Sequence, residues 1–142
     1  MRPWLIATLG AIVNEHQSTI CESLRNMSSD EAATWLINEY KVENENWGEA
    51  LILIPHRSWS KNDQIRLVEH YLTKIPFASS SGYESFLSFM SVNNFAKTIQ
   101  KYLPTSKPDK DLLKYYLLPL LNRHASTEKD KNIVKELKNQ LL

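Results

Sequence analysis

The sequence predicts an all-α fold, a single domain of about eight short to medium helices over residues 1–142. Three observations carry that expectation. Apolar residues recur three and four apart along most of the chain, the spacing that gathers side chains on one face of a helix. Three glycines and six prolines are too few to turn a series of tight hairpins. Alternating β-branched runs, the mark of half-buried strands, are scarce.

The first helix is read from Trp4 onward, with Leu5, Leu9, Ile12, His16, Ile20, Leu24 and Met27 at helical spacing. Its apolar run ends in NEHQ without a small-residue cleavage pattern, so it reads as a core helix and not as a signal peptide. Ser28-Ser29-Asp30-Glu31 offers a capping box ahead of Ala33, Leu36, Ile37 and Tyr40, with Glu31 expected to reach back to the Ser28 amide. A third helix runs from Asn44 or Asn46 into Pro55, which pushes Ile54 out of helical geometry. Ser60 with Asp63 opens the fourth, carrying Leu67, Val68, Tyr71, Leu72 and Ile75. Ser81 with Glu84 opens the fifth, with Phe86, Leu87, Phe89 and Met90. The sixth spans Val92 to Leu103, placing Phe95, Ile99 and Leu103 on one stripe before Pro104. Ser106 and Pro108 start the seventh before Leu112, Leu113, Tyr116 and Leu117, and Thr127 with Asp130 starts the last, with Ile133, Leu137 and Leu141. Short connections suggest antiparallel helix pairs, packed as a compact bundle or as a short HEAT-like stack.

Pro55 leaves His56, Arg57, Ser58 and Trp59 as a loop, where function is often carried and where joints also fall. A catalytic histidine needs a nucleophile or acid and a third group to orient it. Ser58 and Ser60 stand near His56, but no glycine-flanked elbow exposes a nucleophile and no carboxylate is tied to the pair by a known spacing. The expectation is a structural joint: Trp59 packed between helices, Arg57 closing a helix end or reaching a partner, and His56 bonded to open carbonyls. His16, His70 and His124 form no HExxH or other zinc-ligand pattern, and the dispersed glycines form no phosphate loop. Catalytic residues, a metal and a cofactor are therefore all expected to be absent. Cys21, the only cysteine, cannot form an internal disulfide and fits a reducing compartment, the cytoplasm. No apolar stretch approaches the roughly 20 residues of a membrane span.

Charge is unevenly distributed. Residues 1–50 hold three Lys/Arg and eight Asp/Glu, a net of −5, while the remainder carries +6. The acidic excess is densest where Glu39, Glu43, Glu45 and Glu49 surround Tyr40 and Trp47, a field that attracts a cationic partner beside flat apolar area that could anchor it. The later lysines, among them Lys97, Lys101, Lys107, Lys131, Lys135 and Lys138, alternate with Asp109, Asp111, Glu128, Asp130 and Glu136 and lack a recognition-helix arginine pattern. Direct nucleic-acid binding is not expected of them.

The segment from Glu49 to Pro104, with its IPHRSW and IPFAS joints, resembles that of small helical immunity proteins of bacterial contact-dependent-inhibition and other polymorphic toxin systems. The resemblance implies a non-enzymatic cytoplasmic protein that binds the C-terminal domain of a cognate toxin, of the nuclease type, and blocks its active site. Contacts are expected at Glu39, Tyr40, Glu43, Glu45, Trp47, Glu49 and Arg57. The alternatives are a helical RNA-binding or regulatory protein, or a small toxin-like enzyme.

Overall fold

The computed structural model describes residues 13–142. Among them the chain is all-α, with eight α-helices and no strand. These are α1 (Glu15–Arg25), α2 (Ser29–Glu39), α3 (Glu49–Leu53), α4 (Lys61–Leu72), α5 (Ser81–Leu87), α6 (Val92–Ile99), α7 (Lys107–His124) and α8 (Glu128–Gln140). Short 3-10 turns extend α3 over Ile54–His56 and α6 over Gln100–Tyr102. The chain forms two compact units, one ending at His70 and the other beginning at Tyr71.

Most helix starts follow the local chemistry of their caps. Ser28, Ser91, Ser106 and Thr127 each accept a hydrogen bond from the amide three residues on, satisfying one of the open donors at a helix start. Ser60 does the same for Asp63 at 3.4 Å. Glu31 does not bond back to the Ser28 amide: its carboxylate accepts from the Ser28 hydroxyl at 3.1 Å. Ser81 is not a cap but the first residue of α5, and its hydroxyl is shared with Ser79 at 2.8 Å.

One start was hidden by its own hydrophobic spacing. Asn14 and Gln17 form a complete capping box, so α1 begins afresh at Glu15 and does not continue the apolar run that precedes it. The inward stripe is consequently Gln17, Cys21 and Leu24, while His16 is exposed and Ile20 and Met27 are half-buried. Leu5 and Leu9, expected in the core, lie outside the described residues. The third helix is also shorter than expected. Residues 41–48 are successive turns, and α3 occupies only Glu49–Leu53.

Leu36, Leu67, Leu72, Phe86, Phe95, Ile99, Leu117 and Leu137 are all fully buried, as their stripes required. In the first unit α1 packs against α3; in the second, α8 packs against both α6 and α7, and α5 against α6. Phe86 and Phe95 join α5 to α6 with ring centroids 5.9 Å apart. Ahead of α5 the Ile75–Pro76 bond is cis, and the buried Tyr83 hydroxyl accepts from the Phe77 amide at 2.9 Å. Desolvation pushes that phenol up to about 12. Pro119 sits inside α7 on an exposed face, where the missing backbone bond is open to water.

Candidate functional site

The acidic segment is a pinned loop. The Tyr40 amide closes α2 on the Leu36 carbonyl at 2.8 Å, and the chain then turns through bonds from Asn44 to Lys41, Trp47 to Asn44, and Glu49 to Asn46. Across its base the Tyr40 hydroxyl donates to Glu49 Oε1 at 2.5 Å, while Gln17 Nε2 donates to Glu49 Oε2 at 3.3 Å. Burial, then the Glu49 bond, pushes the Tyr40 phenol well above its ordinary range, so it keeps the proton it donates. The ring meets Trp35 edge-on at 6.2 Å.

This geometry divides the expected contact residues. Glu39, Glu43 and Glu45 are exposed, and Trp47 is half-buried between solvent and the fold. Tyr40, at 3% exposure, is not an available anchor: its hydroxyl and ring face inward. Glu49 is half-buried with both carboxylate oxygens accepting bonds from within the fold. Arg57 does not join the acidic loop and belongs to the joint after α3.

At that joint, Pro55 does not end the turn before His56, since the 3-10 geometry carries on through His56. Arg57 Nη1 donates to the carbonyls of Leu24 at 2.6 Å and Met27 at 3.0 Å, closing the C-terminal end of α1. Its guanidinium lies 4.7 Å from the Trp59 ring centroid, and Trp59, buried, donates from Nε1 to the Ile54 carbonyl at 2.9 Å. Arg25 Nη1 reaches the His56 carbonyl at 3.3 Å. The His56 ring does not serve open carbonyls: it is 5% exposed, and neither ring nitrogen has a hydrogen-bond partner among the described residues. Desolvation, then the nearby Arg25 charge, lowers its pKa.

The sequence reading missed the cluster beside it. Asp63 Oδ2 accepts from Ser29 Oγ at 2.6 Å and Ser60 Oγ at 2.7 Å, and Oδ1 accepts from Arg66 at 3.0 Å. Arg66 also reaches Asp30 and Thr34, both at 2.9 Å. Burial alone would raise the Asp63 carboxyl, but the Ser29, Ser60 and Arg66 bonds outweigh it and hold the pKa below the ordinary value. The Ser60-x-x-Asp63 spacing announced a cap; nothing in it announced Ser29, 31 residues earlier in the chain. The Ser60 hydroxyl donates to Asp63, and the His56 nitrogens are hydrogen-bonded to neither Ser58 nor Ser60.

Cys21 is buried, and desolvation pushes its thiol up despite Arg25. Among the described residues no group of three or more His, Cys, Asp or Glu is placed to hold a metal, and no helix is long and apolar enough to cross a membrane. Surface grooves are also present among the described residues. One, of about 220 Å³, is mostly apolar and lined by His16, Ile20, Leu24, Met27 and Trp35 among others. Another, of about 340 Å³, lies between α7 and α8. Comparison with protein-family models, with curated proteins and with solved structures gives no match.

Proposed function

We propose that the chain is a cytoplasmic immunity protein that binds a cognate bacterial toxin of the nuclease type and occludes its active site without chemistry of its own. The observation that carries this reading is the pinned acidic loop. Glu39, Glu43 and Glu45 project from a segment whose two ends are tied by the Tyr40–Glu49 bond and whose interior is a run of hydrogen-bonded turns. A loop ordered before binding loses less conformational entropy when a partner docks. A nuclease must hold a polyanion, so its groove is basic, and exposed carboxylates compete for the same field. The likeness of the Glu49 to Pro104 segment to immunity proteins supports the same reading.

The contact surface follows from the division of the loop: Glu39, Glu43 and Glu45 supply charge, and the exposed part of Trp47 supplies apolar area. Glu43→Lys combined with Glu45→Lys should slow association with a cognate toxin domain, sought in the adjacent reading frames, by about tenfold and flatten its salt dependence, with helical content unchanged. Surface-capture kinetics and a growth-protection assay check it. Unaltered kinetics would remove the loop from the interface; the absence of any complex with that domain would overturn the immunity reading itself.

A further inference from the structure

The second unit carries a surface of opposite chemistry that the immunity reading does not use. Leu118 and Ala125 from α7 and its end, with Val134 from α8, give the groove between these helices an apolar floor, and Lys131, Lys135 and Lys138 form its wall. The three lysines stand at i, i+4 and i+7 on α8, one above another on a single face. Lys131 and Lys135 are therefore like charges four apart, an arrangement that disfavours the helix.

Two lysines of α7 are placed differently, although Lys97, Lys110 and Lys129 are likewise without an ion pair among the described residues. Lys107 and Lys114 both pair with Asp111, at 3.4 and 3.2 Å, whereas the side chains of Lys131, Lys135 and Lys138 make no ion pair or hydrogen bond among the described residues. The acids of α8 do not compensate. Asp130 is committed to the start of its own helix, accepting from the Ser126 amide at 3.2 Å, Glu136 lies about 100° round the helix from Lys135, and Glu128, on the lysine face one turn before Lys131, makes no ion pair with the three lysines among the described residues. Further along the Leu118 face of α7, Tyr115 is 72% exposed, adding uncovered aromatic area one turn away.

We propose that this groove binds an acidic amphipathic peptide segment of a partner protein, laying leucine-like side chains on Leu118, Ala125 and Val134 and carboxylates against the three lysines. An apolar floor distinguishes such a ligand from a simple anion, which would need only the charges. The wall contains no arginine, and no aromatic ring lines the groove to stack a base, which separates it from a nucleic-acid channel. Charge complementarity with an apolar contact is the pattern by which amphipathic helices dock in grooves.

The test uses the full chain and a fluorescein-labelled synthetic peptide of about 14 residues, roughly 20 Å long as a helix, alternating leucine pairs with glutamate pairs. Anisotropy titration in about 0.1 M salt should show saturable binding. Lys131→Glu with Lys135→Glu should weaken it by at least about tenfold while far-ultraviolet dichroism stays unchanged, and the same variant should gain affinity for a peptide with lysines in place of the glutamates. Leu118→Gln should weaken binding as well, without loss of helicity. The proposal is overturned by absence of saturable binding, by equal affinity for a peptide with serines replacing the leucines, or by tighter lysine-dependent binding of oligouridine RNA or anionic phospholipid vesicles.

Discussion

His56 concentrates the residue-scale argument. An imidazole with both nitrogens buried and unbonded is tolerable only when neutral, because the proton that charges it would have no acceptor and would face Arg25. Its folded pKa lies below the ordinary histidine value of 6.5, so between those two values the unfolded chain binds more protons than the native one. Stability should therefore be intact above about pH 6.5 and fall as the pH drops through the window below it. His70, lowered mainly by burial, acts in the same direction, opposed by Glu43 and the Tyr40 backbone. Asp63, whose pKa is depressed, loses its contribution only at more acidic pH, below the carboxylate value of 3.8. His56→Leu should leave stability at neutral pH nearly unchanged, since it swaps an unsatisfied polar ring for an apolar group of similar size, and should shallow the loss between pH 7.5 and 5.5, values chosen about one unit either side of the histidine range. Urea titrations at those two pH values check both parts.

At the scale of elements, the molecule holds helix ends together by long side chains from elsewhere in the chain. Arg57 closes α1, and Asp63 with Ser29 and Ser60 joins the starts of α2 and α4. Arg57→Ala should cost about 1–3 kcal/mol, the range for losing hydrogen bonds to a charged donor, reduced because the group is half-exposed. Arg57→Lys should recover only part of it, since an ammonium cannot cap two carbonyls and lie flat on Trp59 together. Denaturant midpoints of the three proteins give the answer, with amide exchange at the end of α1 expected to quicken in the alanine variant.

For the whole molecule, the periodic pattern located much of the interior among the described residues, although Leu112, placed on the α7 stripe, is 39% exposed. Eight residues chosen from helical stripes, from Leu36 to Leu137, are each fully buried. Leu36→Ala should cost about 2–5 kcal/mol, a large share of the roughly 5–15 kcal/mol by which such proteins are stable, with the helical far-ultraviolet spectrum retained below the transition. A thermal scan of the variant checks the loss. The acidic loop was legible in part: the sequence located the carboxylates, but not which of them are exposed. Tyr40 and Glu49 lie nine residues apart, a separation no local pattern assigns to a hydrogen bond. Gln17, arriving from α1, donates to the other oxygen of the same carboxylate, a partner still more distant in the chain.

The chain's own order of residues determined the helical class, most caps, the buried stripes and the polarity of charge, because each rests on neighbours within about one or two turns. Even there, a strong apolar period masked the Asn14 cap, since spacing alone does not reveal where a helix is interrupted. Only the tertiary structure decided the roles of the polar residues. It turned Tyr40, Glu49 and Arg57 to internal bonds, bound Asp63 to Ser29, and, among the described residues, left the His56 ring without a hydrogen bond and set three unpaired lysines over an apolar floor. The reason is that a polar side chain takes whichever partner burial brings within about 3 Å, and that partner comes from a distant segment as readily as from the next turn.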